Sequence, residues 1–347
     1  FNHMIRLTLS EVHNVCMKAL LNSGLQTSHA TTISDVITAA ERDGAKSHGL
    51  FRLPGYCTSL RNKKIAGTVV PLIKDVAPSV VNVDARGCFA PPAFLVALPL
   101  LVSKARETGI ACCSISNSYH FSSLWWETEM LAAEHNLVVM NFVNTLAFVA
   151  HSGGSKRVYG TNPMAFGWPR PNTQPLVWDQ ASSAMARGDM QILARDGKQL
   201  PGPGYAVDRN GQPTLDPAEG VDGAQLTFGG HKGTCLALMV ELLAGALTGS
   251  PLAVEGEKWE AERKGGFDGG PTKQGQFVLV IDPKVAGKEL TAKKAEMLFG
   301  LILAQDGARL PAERRYAIRK KTPKEGVLIP ESLHSTVMKL VQTSANL

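Results

Sequence analysis

The chain has 347 residues, of which 44% are hydrophobic and 19% charged, and its formal net charge is +6. This length and composition predict a folded enzyme of two lobes rather than a disordered chain. The basic residues form short clusters without interleaved aromatic residues, so no nucleic-acid partner is expected. The longest apolar stretches, such as 94–102, are far shorter than the ~18 residues of a membrane span, so no membrane partner is expected either.

Six cysteines are scattered along the chain without any CxxC spacing, and no signal peptide is recognisable. Scattered, unpaired cysteines are typical of proteins in a reducing compartment. We therefore expect reduced thiols and a cytoplasmic location.

The first 65 residues carry helical patterns. Thr8 and Glu11 have the spacing of a capping box, which predicts the start of a helix that Gly24 closes. Apolar residues at helical spacing, from Ile33 to Ala40, predict a second helix that ends near Gly44. An N-terminal helical segment is the expectation.

From about residue 78 onwards, strand and helix patterns mix, which indicates an α/β body. The expected strands are 79–85, 109–116, 137–144, 175–179 and 276–282. The expected helices are 92–106, 122–134, 234–247, 292–304 and 330–341. Segments 202–229 and 250–275 are rich in Gly, Pro and Asp and are expected to be loops, and the last helices are expected to pack on the N-terminal lobe.

A hydroxyl, an imidazole and a guanidinium stand close together in Ser47, His48 and Arg52. Histidine exchanges protons near neutral pH, and arginine four residues after His48 can hold a carboxylate with both arms of its fork. The pattern favours acid/base chemistry on an anion. The alternative is that Ser47 caps the next helix and His48 is an ordinary residue of its first turn.

Two segments before helices could bind a phosphate-bearing ligand, because the first N–H groups of a helix lack internal partners. One is the polar run 116–124, which follows a buried strand; the alternative is a capping cluster. The other is 228–233, in which glycines precede Lys232; the alternative is a plain turn.

A fourth group comprises Tyr159 to Pro163, Asp179 to Ser183 and Asp189. A carboxylate such as Asp189 could orient the histidine, although each segment alone could be a turn. GxGxxG, HExxH and GxSxG motifs are absent from the sequence, so a Rossmann site, a zinc site and an acyl-transfer site are not supported.

Taken together, the segments resemble the malate/L-lactate dehydrogenase family of the second, non-Rossmann type. The family pattern is SHG-x-x-R-x-P, an H-F loop, F/Y-G-T-N-P, D-x-A-[ST]-S and H-K-G, and all five motifs occur here in order between Ser47 and Gly233. Segments 120–125, 188–191, 229–233 and 309–311 resemble the branch that reduces the cyclic imines Δ1-piperideine-2-carboxylate and Δ1-pyrroline-2-carboxylate. The family alternative is a 2-hydroxyacid dehydrogenase of the malate, lactate or ureidoglycolate type.

The resemblance implies an α+β fold and a homodimer. It implies an N-terminal helical domain over 4–75, a mainly antiparallel NADP-binding domain over 76–290, and C-terminal helices over 291–347 that pack on the N-terminal lobe. It also implies NADPH as cofactor, with NADH as the other possibility, and no metal.

The resemblance also implies roles for individual residues. His48 would donate the proton, with Ser47 and Asp189 as a relay, and Arg52, Thr161, Ser182 and Ser183 would bind the substrate. Cofactor contacts would come from His120, Phe121, Ser122, Ser123, Leu124, Asp179, Gln180, Ala181, His231, Lys232, Gln305, Asp306, Gly307, Ala308, Arg309 and Leu310. Two positions depart from the family pattern: Ser182 stands where threonine is usual, and Tyr119 where a smaller or polar residue is usual.

Overall fold

The computed structural model describes residues 3–119, 122–256 and 273–342. Its strands are β1 (Met4–Leu7), β2 (Leu72–Ala77), β3 (Val80–Asp84), β4 (Ile110–Ser118), β5 (Val138–Val143), β6 (Val149–Ala150), β7 (Arg157–Tyr159), β8 (Met164–Trp168), β9 (Leu176–Gln180), β10 (Ala206–Val207), β11 (Ala224–Gln225), β12 (Gln274–Ile281) and β13 (Val327–Pro330). Its helices are α1 (Leu9–Leu21), α2 (Thr27–Arg42), α3 (Leu53–Arg61), α4 (Ala90–Thr108), α5 (Trp125–Ala133), α6 (Arg187–Arg195), α7 (Pro217–Asp222), α8 (His231–Val240), α9 (Thr291–Leu303), α10 (Glu313–Glu325) and α11 (Glu331–Gln342).

A seven-stranded sheet in the order β2-β3-β4-β12-β5-β8-β9 forms the centre of the protein. Its neighbouring strands run antiparallel except β3 and β4, which are parallel. A smaller sheet in the order β10-β11-β6-β7 stands beside it. The chain therefore has a mixed α/β fold around a multistranded sheet.

Helices cover both faces of the large sheet. Side chains of the central strand β12 alternate between the two faces and show which helices pack on each. Val278 and Val280 pack with α4 and α5 residues such as Leu101 and Leu131. Phe277 packs on the other face with α8, including Val240. Helix α8 continues as a π-helical segment, Glu241–Ala246.

The two ends of the chain meet. Strand β1 pairs with β13 in a two-stranded antiparallel sheet. Val12 and Leu20 of α1 share one buried cluster with Ile329 of β13 and Val337 of α11. Segments more than three hundred positions apart thus build one core.

The structure confirms one local prediction and corrects two others. The capping box is confirmed, since Thr8 N–H donates to Glu11 Oε2 over 2.7 Å and Glu11 N–H donates to Thr8 Oγ1 over 3.2 Å. Residues 4–7 form β1 rather than helix, because their hydrogen-bond partners lie in the distant β13. Segment 202–229, expected to be a loop, contains β10, α7 and β11.

Candidate active site

Several predicted site segments leave the large sheet at the same edge. β12 is antiparallel to both β4 and β5, so Ser118 and Val143 end their strands beside Gln274 and Gln276. β8 begins at this edge and β9 ends there, with Met164 opposite Gln180. The chain that follows β4, β5 and β9, together with the chain before β8, is therefore gathered at one side of the molecule.

Ser47 and His48 form the hydroxyl–imidazole pair that the sequence indicated. Both lie half-buried in a 3₁₀ turn, Lys46–His48, and Ser47 Oγ is 3.1 Å from His48 Nδ1. A second 3₁₀ turn, Leu50–Arg52, brings Arg52 back so that its Nε donates to the Ser47 carbonyl over 2.7 Å. The three side chains are thus fixed in one cluster.

Three aromatic rings connect this cluster to the end of β4. Tyr56, four residues after Arg52, packs edge-on against Phe89 and Tyr119, with ring centroids 5.0 and 5.9 Å away. Phe89 and Tyr119 are also edge-on, at 5.3 Å. Edge-to-face pairs of this kind stabilise by about 0.5–1.5 kcal/mol each. Tyr119 is therefore a core residue, which gives its departure from the family pattern a packing reason.

The predicted cofactor loop after Tyr119 is described only in part. His120 and Phe121 lie outside the described residues. Ser122 is half-buried, and Ser123 and Leu124 are buried just before α5.

Asp179 supports the start of α5 from the neighbouring strand end. Its Oδ2 accepts a hydrogen bond from Trp125 N–H over 3.3 Å. Burial raises the pKa of Asp179, while the Arg315 guanidinium and backbone N–H groups at Leu124 and Trp125 act in the opposite direction. Two predicted cofactor segments are thus joined directly. Of the residues that follow, Gln180 is exposed and Ala181 half-buried.

A cleft of about 370 Å³ opens beside Asp179, between Val177–Asp179 and residues 309–315. Arg309 and Arg314 are exposed there and form no hydrogen bond or ion pair with the described residues, whereas Arg315 pairs with Glu129. Two guanidinium groups without protein partners suit a phosphate-bearing ligand. Leu310 is buried in the cleft, and Gln305, Asp306, Gly307 and Ala308 lie exposed ahead of it.

Thr161, Ser182 and Ser183 also come together. Ser182 N–H donates to the Thr161 carbonyl over 2.7 Å, and the Thr161 hydroxyl lies 3.3 Å from that of Thr145. The Ser182 hydroxyl donates to the Asn162 carbonyl and the Ser183 hydroxyl to the Met185 carbonyl. Both serine hydroxyls therefore donate their hydrogen bonds to backbone carbonyl groups of the protein. Ser182 is also fully buried.

Glu241, which sequence reasoning missed, holds this segment in place. Its Oε2 accepts from Asn162 Nδ2 over 2.7 Å, and its Oε1 accepts from Ala253 N–H over 2.7 Å and from Asn144 Nδ2 over 3.4 Å. Burial raises the pKa of Glu241, and these donors oppose that effect. In the sequence, the one sign of this role is that Glu241 is the single carboxylate within the apolar helical run 234–247.

The remaining predicted residues lie at helix starts. His231 and Lys232 are exposed in the first turn of α8, after Gly229 and Gly230 with φ of 60° and 58°. These glycines line a cleft of about 560 Å³ together with Ser152 and residues 226–228. Asp189 is exposed in the first turn of α6 and forms no hydrogen bond or ion pair with the described residues. Its relay to His48 stays a prediction.

Residues 3–119, 122–256 and 273–342 contain neither a metal-binding cluster nor a membrane-spanning helix. No group of three or more His, Cys, Asp or Glu side chains could hold a metal ion there. No helix in those ranges is long and apolar enough to cross a membrane.

The chain is similar to known proteins over nearly its whole length. The malate/L-lactate dehydrogenase family matches residues 7–338. A Δ1-pyrroline-2-carboxylate/Δ1-piperideine-2-carboxylate reductase of Pseudomonas aeruginosa is 42% identical over 98% of this chain and 100% of its own. A Δ1-pyrroline-2-carboxylate reductase of Ancylobacter novellus is 42% identical over 97% of each chain. The crystal structure of a Δ1-piperideine-2-carboxylate reductase from Pseudomonas syringae pv. tomato superposes with a TM-score of 0.89 at 38% identity, over 97% of this chain and 99% of the other.

Because the pKa of Glu241 is raised, we expect the free energy of unfolding to depend on pH through this residue. The folded protein binds this proton more tightly than the unfolded chain, so stability falls as pH rises from about 4.5 through the higher folded value. Each unit of difference between the two pKa values costs about 1.4 kcal/mol. Urea unfolding from pH 4 to 7 should show the wild type losing stability relative to Glu241→Gln, because the other carboxyl groups are common to both. Parallel pH profiles of the two proteins would contradict it.

Proposed function

Because the chain belongs to the malate/L-lactate dehydrogenase family, we propose that it reduces Δ1-pyrroline-2-carboxylate and Δ1-piperideine-2-carboxylate to L-proline and L-pipecolate with NADPH. The observation that carries the proposal is the clustering of Ser47, His48 and Arg52 in a chain whose relatives at 42% identity are named as reductases of these imines. Reduction adds a hydride to the imine carbon and a proton to the nitrogen.

His48 is the proposed proton donor. Its Nδ1 faces the Ser47 hydroxyl at 3.1 Å, so Nε2 is the nitrogen that can face a substrate. When the Ser47 hydroxyl donates to Nδ1, the neutral ring carries its proton on Nε2, where it can pass to the imine nitrogen. Ser47 thus selects the tautomer that donates. Asp189 is proposed to complete the relay.

Arg52 is the proposed site for the substrate carboxylate. Its Nε is used by the Ser47 carbonyl, so a carboxylate would bind through the two Nη groups. The same hydrogen bond fixes the distance between the carboxylate and His48, because it ties the guanidinium to the turn that carries the imidazole. Thr161, with its half-buried hydroxyl, is proposed to assist, and Ser182 and Ser183 to shape the wall behind it.

NADPH is the proposed cofactor, and the cleft between Asp179 and Arg314 fits its charge. Arg309 and Arg314 would hold phosphate groups, with Lys232 and the glycines before α8 as a second group of donors. When bound, the cofactor supplies the hydride. Further contacts are proposed from 120–124, Gln180, Ala181, His231 and 305–310.

The finer architecture is part of the proposal. Residues 76–290, which contain the large sheet except the first four residues of β2, are proposed to form a cofactor domain that differs from the Rossmann type. Segments 4–75 and 291–347 supply a helical lobe, which the pairing of β1 with β13 and the shared terminal core support. Six cysteines without a disulfide support a reducing, cytoplasmic location.

The proposed function is tested by following NADPH and NADH oxidation with four substrates in parallel: the two cyclic imines, pyruvate and oxaloacetate. We expect fast turnover of at least one imine with NADPH. Turnover confined to the open-chain 2-oxo acids would show a 2-hydroxyacid dehydrogenase and overturn the substrate assignment. Faster turnover with NADH would overturn the cofactor preference alone.

Substitutions at the cluster should separate proton transfer from carboxylate binding. His48→Ala is expected to lower kcat by about 100-fold or more with nearly unchanged NADPH affinity.

Arg52→Lys is expected to raise KM for the imine about 10- to 100-fold, because one ammonium group cannot bind a carboxylate as the guanidinium does and also bond the Ser47 carbonyl. Steady-state kinetics and NADPH fluorescence titration measure both effects. An unchanged KM in Arg52→Lys would remove Arg52 from the substrate site.

We also propose a homodimer, and α9 supplies its surface. Phe299 is the buried residue of this helix, whereas Met297, Leu298 and Leu301 are each more than half exposed. A helix with apolar residues at i, i+1 and i+4 facing solvent is typical of an interface.

Light scattering should give the wild type about twice the chain mass of 37.2 kDa. Leu298→Asp is expected to shift the mass towards one chain, because a charge would be buried at the interface. Leu215→Asp, at an exposed loop position, is the matched control and should not shift it. A wild-type mass of one chain would contradict the proposal.

A further inference from the structure

The turn that carries Ser47 and His48 rests on a buried carboxylate. Glu41, in the last turn of α2, is 5% exposed, and its Oε1 accepts a hydrogen bond from Leu50 N–H over 2.8 Å. Glu41 and Leu50 lie on opposite sides of the segment that contains Ser47 and His48. The hydrogen bond therefore closes this segment into a loop with fixed ends.

Gly49 shows how closely the carboxylate approaches the turn. A Cβ at this position would lie 2.1 Å from Glu41 Oε1 and 2.8 Å from its Cγ. The φ of Gly49 is −87°, outside the left-handed region that favours glycine. The glycine that follows His48 is thus needed for space, and the occupant of that space is Glu41.

We propose that Glu41 is a positioning residue for the proton donor, in that its carboxylate fixes the backbone at Gly49 and Leu50 and through it the orientation of His48 and Arg52. The inference rests on the proposed function, which gives His48 and Arg52 their roles. Arg52 is included because its own backbone N–H donates to the Gly49 carbonyl over 2.9 Å and its Nε to the Ser47 carbonyl.

The surroundings of Glu41 support the view that its carboxylate serves to hold the backbone after His48. Its second oxygen, Oε2, is buried and has no hydrogen-bond partner among the described residues. Burial raises the pKa of Glu41, and the Leu50 N–H and the charge of Lys46 oppose this effect. A carboxylate whose one hydrogen bond to the described residues is with the backbone after His48 is poorly explained by packing alone, because a buried polar group costs free energy unless it is hydrogen-bonded.

The first test compares two substitutions of equal length. Glu41→Gln keeps an oxygen that accepts from Leu50 N–H, whereas Glu41→Met removes it. We expect Glu41→Met to lower kcat for the imine about 10- to 100-fold, because a small displacement of a reacting group has effects of this size. Glu41→Gln should restore most of the activity. Active sites are counted by NADPH titration, so that unfolded protein does not enter kcat.

The second test addresses the contact itself. Gly49→Ala should be strongly harmful in the wild type but much less so in Glu41→Ala, where the three atoms nearest to the added Cβ are absent. Gly55→Ala, at a position with no atom within 4 Å of the added Cβ, is the matched control. Equal effects of Gly49→Ala in both backgrounds would overturn the proposal, as would a Glu41→Met variant with lowered melting temperature and wild-type kcat per site.

A third readout does not depend on the substrate. Carbethoxylation of His48 by diethyl pyrocarbonate, followed by peptide mass spectrometry, should be faster in Glu41→Met than in Glu41→Gln or the wild type. If the wild type reduces no imine, the proposed function fails and this rate decides for or against Glu41. If the wild type is active and all three proteins react alike, the positioning role fails and the function stands.

Discussion

The placement of β12 between β4 and β5 is the constraint on which the site depends. Its register sets Gln274 beside Ser118 and Gln276 beside Val143, so the segments that follow these two strands start side by side. β12 is supplied from more than a hundred positions later in the chain. Backbone hydrogen bonds along both of its edges satisfy groups that would otherwise be buried without partners. Without this strand, the predicted cofactor loop after β4 and the Thr145–Thr161 contact after β5 would not be held at the same end of the sheet.

Three segments of the site are each supported by an acidic side chain, of which Glu41 and Glu241 are buried and Asp179 is half-buried. Glu41 accepts from Leu50 N–H after the turn that carries Ser47 and His48, Asp179 from Trp125 N–H at α5, and Glu241 from the Asn162 amide. Burial raises the pKa of all three, and the donors around each carboxylate offset part of that cost. Hydrogen bonds to an ionised acceptor are about twice as strong as those between neutral groups. The loops thereby gain a rigidity that their own backbone cannot provide.

Features that depend on neighbours in sequence were accessible from the sequence. The capping box of Thr8 and Glu11 and the Ser47–His48–Arg52 cluster are local, and both are present in the structure. β1 could not be predicted, because its strand identity depends on pairing with β13. Glu41 and Glu241 look like ordinary helix residues in the sequence; only the fold reveals that they point into buried turns. The seven-stranded order likewise depends on β12, whose neighbours no local pattern specifies.

Arg319 connects the helix that borders the proposed cofactor cleft to the end of α2, just before the turn that carries Ser47 and His48. It lies on α10, whose first residues line the cleft, and its Nε donates to Asp43 Oδ1 over 2.8 Å while its Nη2 donates to Glu129 Oε2 over 3.0 Å. Asp43 follows α2 directly, between Glu41 and Ser47. A displacement of α10 would therefore pull on the same end of α2 that Glu41 stabilises. In the proposed homodimer, a second copy docked on α9 would lie only one short segment away from the cleft, since residues 304–312 alone separate α9 from α10.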